Sequence, residues 1–141
     1  MLLVVDSNVI ISCLIRDGTV RHVFLLNALF QRFELIAPEF LWIEVEKHKE
    51  ELMEETDLTG NEFDELSDFL REEIDIIPAT EFIELLPKAK KALGSHFKDA
   101  QYLALAMKYE AKILSGDKKL KERVPDWVVT PRQAMDGIRG R

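Results

Sequence analysis

The chain has 141 residues, of which 47% are apolar and 32% charged, with a formal net charge of −7. This size and composition fit one globular domain, residues 1–141, able to bury a core without staples. The acidic balance excludes charge-driven nucleic-acid binding by the whole surface. A lone Cys13 excludes a disulfide framework within the chain.

No apolar run approaches the roughly 18 residues of a membrane span, and Met1 runs straight into apolar sequence without a basic leader. The expected address is cytoplasmic, with no membrane partner. Residues 2 to 6, LLVVD, read as a fully buried strand rich in Val and Leu that ends on a carboxylate. Burying an unpaired charge is costly, so Asp6 is solvated, paired or bound to a cation. Residues 20 to 31 carry apolar side chains at 20, 23, 24, 26, 29 and 30, which is helical spacing. FELIAP reads as a second strand, stopped by Pro38, and a helix follows through residues 39–55 with Pro38 at its start. Gly60 interrupts the pattern, and Thr59 or Asn61 can cap an amphipathic helix with Phe63, Leu66, Phe69 and Leu70 on one face.

IDIIP reads as a third strand. Residues 80–93 read as a helix broken by Gly94, and 99–111 as a second helix with Ala100, Leu103, Ala104 and Met107 on one stripe. KILS is a fourth strand, GDKKLKER a turn and short helix, WVVT a fifth strand, and Pro131 opens a last helix. There is no repeat, low-complexity tract or linker. Strands alternating with helices predict a parallel sheet covered on both faces, with ligands at the carboxyl ends of its strands. Charge is uneven along this frame. Residues 44 to 75 are acidic, whereas Lys88, Lys90, Lys91 and Lys98, then Lys118, Lys119, Lys121 and Arg123, then Arg132, Arg139 and Arg141 form basic clusters.

Four acids stand in distinctive settings. Asp6 ends the first strand, Glu44 lies in the helix after the second, Asp99 opens the helix DAQYLALAMKYEA, and Asp117 follows the fourth strand. Right-handed crossovers bring all four to one edge, because each helix starts where its strand ends. Each also has a purely structural reading: Asp6 as an Asx-turn residue, Glu44 on a solvated face, Asp99 as a first-turn carboxylate favoured by the helix dipole, and Asp117 as a turn residue. Clustered carboxylates without basic partners repel, and a hard divalent cation relieves that repulsion. Such a site suits Mg²⁺ or Mn²⁺ and the hydrolysis of a phosphodiester by a water that the cation acidifies. His22, His48 and His96 have no zinc-ligand spacing with cysteine. There is no GxGxxG, no P-loop lysine, and no nucleophile-elbow context at Ser7, Ser12 or Ser115.

VVDSNVIIS, PEFLWIEVEKHKEEL, KDAQYLALAMKYEAKILSGDKKLK and WVVT, in that order, resemble a PIN domain over essentially the whole chain. The resemblance implies a three-layer α/β/α fold with a parallel sheet of about five strands, similar to flap endonucleases. It implies Mg²⁺- or Mn²⁺-dependent endoribonuclease activity on RNA of the VapC-like prokaryotic kind. Many relatives are toxins of VapBC-type toxin–antitoxin pairs and many dimerise, so an antitoxin protein and a homodimer are the implied partners. Residue by residue, the family's first aspartate falls on Asp6 and its helix glutamate on Glu44, with Glu46 the second candidate. Its third acid falls on Asp99 and its last on Asp117. Asp6, Asp99 and Asp117 are then the implied metal ligands, with Glu44 a ligand or water-orienting base. The polar positions fall on Ser115 and Asn8, the latter placed to orient Asp6 or the water. His96 and Lys98 stand where the family often carries further acids, which bears on a second metal.

Lys118, Lys119 and Lys121 are candidate phosphate contacts, or else a solvated helix face. The competing function is a catalytically silent PIN scaffold that binds RNA or a protein, against which the full set of four acids argues. A receiver or haloacid-dehalogenase-type phosphatase would need a second acid beside Asp6, and DSN has none at plus two.

Overall fold

A computed structural model describes residues 1–140 and leaves the His96 side chain undescribed, so that side chain and Arg141 lie outside the described residues. Among the described residues five strands form one all-parallel sheet in the order β3-β2-β1-β4-β5, namely β1 Leu2–Val5, β2 Glu34–Pro38, β3 Ile74–Ile77, β4 Lys112–Leu114 and β5 Val128–Val129. Central β1 sets the register, with Val4 opposite Ile36 of β2 and Ile113 of β4. β1 is followed by α1 Ser7–Ile15 and α2 Thr19–Phe30, and β2 by α3 Phe40–Lys47, α4 Lys49–Glu55 and α5 Gly60–Glu73. β3 leads into α6 Leu86–Leu93 and α7 Ala100–Tyr109, β4 into α8 Lys118–Arg123, and β5 into α9 Pro131–Ile138.

The chain steps outward from β1 to β3, then crosses back to β4 and β5. With right-handed connections this reversal places α1 to α5 on one face and α6 to α8 on the other, giving the expected three-layer α/β/α fold. The reversal also makes the gap between the ends of β1 and β4 a topological switch point, the position where open α/β sheets bind ligands. α7 packs directly on β1, β2 and β4. Its Ala100, Ala104 and Ala106 are buried, and such small side chains let a helix lie close to the sheet.

Two readings of the sequence are corrected by the fold, and one segment left unassigned is filled. Residues 7–15, beyond the strand read at 2–6, form α1. Val9, Ile10, Cys13 and Leu14 are all buried, so the segment lacks the polar stripe that marks a surface helix. Residues 39–55 are two helices broken at His48, not one. A straight helix would run a stripe through Leu41, Val45, His48 and Leu52; the break buries Leu41, Val45 and Leu52 and leaves His48 exposed. Residues 80–93 begin as two 3-10 turns, 79–81 and 83–85, and become α-helical only at α6. Pro87 sits at the start of α6, where its missing N–H costs nothing. The cap of α5 is Thr59, in a reciprocal pair with Glu62, and Gly60 lies inside the helix.

Candidate functional site

β1 ends at Val5, but Asp6 continues the ladder: its N–H donates to the Leu114 carbonyl of β4 at 3.2 Å. Asp6 is also the N-cap of α1, accepting from the Asn8 N–H at 3.5 Å. The Asx reading of Asp6 is therefore correct as far as it goes. Yet the residue is only 3% exposed, a deeper burial than a cap requires. Its other oxygen accepts from Ser115 Oγ at 2.8 Å. Burial is the main reason its carboxyl is pushed up from 3.8 to about 6, with the charges of Asp99 and Glu44 adding to the shift.

Ser115, the residue after β4, is the hub of a network across the switch point. Its hydroxyl accepts from Asn8 Nδ2 at 3.1 Å and from the Asp117 N–H at 3.1 Å while donating to Asp6. Asn8 Oδ1 accepts from the Gly116 N–H at 3.3 Å. Asn8 and Ser115 thus lock the two strand ends together. Asp117 caps α8, its Oδ1 accepting from the Lys119 N–H at 2.9 Å and the Leu120 N–H at 3.3 Å.

Asp99 stands at the head of α7 and accepts no capping hydrogen bond there. Its half-buried carboxyl is raised, chiefly by burial and next by the Asp117 charge; Lys98 offsets part of this and Glu44 adds to it. Glu44 is turned inward from α3 and accepts a hydrogen bond from the Tyr102 hydroxyl of α7. Glu46, two residues on, points instead to Arg71 at 3.0 Å, and the Arg71 guanidinium stacks 4.2 Å from the Trp42 ring centroid. The second candidate is therefore spent on a surface ion pair.

The fold brings Asp6, Glu44, Asp99 and Asp117 to one edge, close enough for each to bear on another's charge. None of the four enters an ion pair among the described residues. As the side chains stand, no three His, Cys, Asp or Glu of the described residues are near enough to hold one ion. Glu44 is engaged by Tyr102 and Asp117 by the backbone of α8.

Tyr102 is the residue that sequence reasoning missed. It is 1% exposed, and burial together with Glu44 pushes its hydroxyl well above the ordinary tyrosine range. The signal was a tyrosine three residues after Asp99, directly before the apolar run Leu103–Met107, since a buried tyrosine needs a polar partner. Lys121 behaves otherwise than its sequence suggested: its Nζ donates to the Val128 carbonyl at 2.7 Å and the Pro125 carbonyl at 3.4 Å. It ties α8 to β5 and is not free for phosphate.

His22 faces Asp17 at 3.0 Å and His48 faces Glu51 at 3.8 Å, both on the surface. No helix of the described residues is long and apolar enough to cross a membrane. Among solved structures, the chain is similar to one from a toxin-antitoxin complex from Klebsiella pneumoniae, with a TM-score of 0.65 at 16% identity, covering 92% of this chain and 97% of that one. At that identity the likeness is one of fold. No curated protein matches. The PIN domain family model matches residues 4–128, and the chain belongs to the PIN domain family.

Proposed function

We propose that this protein is a divalent-metal-dependent endoribonuclease whose site is formed by Asp6, Glu44, Asp99 and Asp117. The observation that carries the reading is Asp6. It is a carboxylate 3% exposed at the switch point of the sheet, hydrogen-bonded to Ser115, Asn8 and Ser7, with other acids as its charged neighbours. Neutral donors satisfy its oxygens without neutralising its charge.

The donor set fits a hard cation, since carboxylate oxygens are the ligands that Mg²⁺ and Mn²⁺ prefer. Asp6, Asp99 and Asp117 would hold it, with Glu44 a further ligand or the base that orients water. When bound, such a cation supplies Lewis acidity, lowering the pKa of a water and neutralising charge on the phosphoryl oxygens. Ser115 and Asn8 fix the Asp6 carboxylate by hydrogen bonds from outside the donor set, the role partners of this kind play in metal sites. Tyr102 does the same for Glu44. The raised carboxyls of Asp6 and Asp99 come chiefly from burial, and the neighbouring acids add to it. Likeness to a chain of a toxin-antitoxin complex supports a toxin that pairs with an antitoxin protein.

The test is cleavage of a labelled single-stranded RNA with and without Mn²⁺, by the protein and by Asp6→Asn. Metal-dependent cleavage that falls at least ~100-fold in the variant is expected. Equal cleavage by Asp6→Asn would falsify the assignment. Absence of cleavage by the unaltered protein, with RNA still bound, would instead support the silent scaffold.

A further inference from the structure

Two basic segments far apart in the sequence meet beside the acidic site. Residues 86–98 contain four lysines and no acid, and residues 118–123 contain four cations and one acid, Glu122. They therefore hold eight of the 19 basic residues of a chain whose net charge is −7. α6 packs against α8, and Arg123 Nε donates to the Ala92 carbonyl near the end of α6 at 3.1 Å. Ser95, Lys119, Glu122 and Arg123 line an open groove there.

Gly94 makes this close approach possible. Its φ is +59°, and a Cβ at that position would lie 2.7 Å from Arg123 Nη2. The groove adjoins the acids through the chain itself, Lys119 lying two residues after Asp117 and Ser95 four before Asp99. Lys98, exposed in the same segment, is close enough for its charge to act on Asp99. None of the cations of these two segments enters an ion pair among the described residues. Beside them Phe97 is 60% exposed.

We propose that the α6–α8 surface seats the sugar-phosphate backbone of a single-stranded RNA and leads it to the acidic edge. Lys90, Lys91, Lys98, Lys119 and Arg123 contact phosphates, and Phe97 offers a face for one base to stack on. Cations that track a backbone beside an exposed aromatic are how single strands are held without sequence readout. The acidic remainder of the chain repels the same strand, so binding is confined to this surface. The identity of the strand rests on the nuclease reading; the basic surface does not.

The experiment measures binding of a fluorescein-labelled single-stranded RNA by anisotropy, in EDTA and across a salt series. Asp6→Asn serves as the background, so that cleavage cannot intrude. Combining Lys90→Ala, Lys91→Ala and Lys119→Ala should weaken binding at least ~10-fold and flatten the log–log salt slope by about 2, each lost phosphate contact on a single strand being worth about 0.7. Removing the same charge elsewhere, with Arg32→Ala, Lys47→Ala and Lys49→Ala, should change binding less than about 2-fold. Equal losses in both triple variants, unchanged binding in the first, or stronger competition by duplex DNA than by single-stranded RNA would overturn the proposal. Cleavage by the unaltered chain with Mn²⁺ is read in parallel. Cleavage with unchanged binding in the first variant sinks only the surface, whereas weakened binding without cleavage sinks only the nuclease reading.

Discussion

Arg21 and Asp6 are both charged and both buried, at 8% and 3% exposure, and the fold treats them in opposite ways. Arg21, on α2, donates from Nε to the Cys13 carbonyl at 2.8 Å and from its two terminal nitrogens to Asp57 at 3.0 and 3.4 Å. Asp57 also accepts from the Asp17 N–H at 2.9 Å, and the Arg21 hydrogen bond holds its carboxyl below the usual range. That centre is complete in hydrogen bonds and in charge. It fastens α1 and α2 to the loop before α5.

Asp6 is complete in hydrogen bonds alone. Serine and backbone donors satisfy its oxygens, while Asp99 and Glu44 press their charge on it. A satisfied polar atom and a compensated charge are separate conditions. A centre meeting the first but not the second carries an uncompensated charge, which a bound cation would relieve.

The two centres should therefore respond oppositely to pH when no divalent cation is present. The Asp6 carboxyl is raised from 3.8 to about 6, so between those values the folded chain holds a proton that the unfolded chain has lost. Stability falls as pH rises from about 4 to about 6, by about 3 kcal/mol in all, and is flat above. Asp57, with its carboxyl lowered, contributes stability that is present above about pH 4 and lost below it. Urea unfolding in EDTA across pH 3 to 7 should show a maximum near pH 4–5 from these two groups. Asp6→Asn should remove most of the fall on the neutral side, leaving the share of Asp99, whose carboxyl is also raised, and keep the acid limb. A flat profile from pH 4 to 7 in the unaltered chain would mean that Asp6 is already compensated.

Adding Mn²⁺ sharpens the contrast. At about 100 times its dissociation constant the cation should stabilise the fold by about 2.7 kcal/mol, raising Tm by about 5–10 °C. Asp6→Asn should lose most of that rise. Arg21→Ala should keep the rise while lowering the starting stability by about 2 kcal/mol, because it strips the Cys13 carbonyl and Asp57 of a partner. If both variants kept the full rise, the cation would sit elsewhere and the contrast would dissolve.

Much of this was legible in the sequence because it rests on local signals. Apolar runs marked the five strands, and a carboxylate at the end of such a run, as at Asp6, marks a strand end facing something polar. The ordered motifs carried the same acids through Glu44, Asp99 and Asp117. Less legible was whatever depends on partners distant in the chain. α1 escaped because a helix buried nearly all round has no periodic polar face. Lys121 looked like a free cation because its carbonyl partners in Pro125 and Val128 come from a turn that only the fold closes. The Arg21–Asp57 bridge spans 36 residues, and nothing near either residue announces the other. Tyr102 reads locally as one more apolar residue on a buried stripe; its role exists only because α3 brings Glu44 to it.

That last pair gives the smallest and most pointed test. Tyr102→Phe removes one hydroxyl and keeps the ring, which lies tilted against Phe40 with centroids 6.2 Å apart. The loss in stability should be about 1 kcal/mol, the worth of an ordinary hydrogen bond. Mn²⁺ affinity, read by titration calorimetry on the RNA-free protein, should weaken by about 10-fold if the hydroxyl positions Glu44 for the cation. Tyr102→Trp would disturb packing as well, so phenylalanine is the informative change. A stability loss with unaltered Mn²⁺ affinity would show that Glu44 and Tyr102 form a closed structural pair, as Arg21 and Asp57 do. The uncompensated charge would then belong to Asp6, Asp99 and Asp117 alone, and the boundary between the two kinds of buried centre would run between α3 and β1.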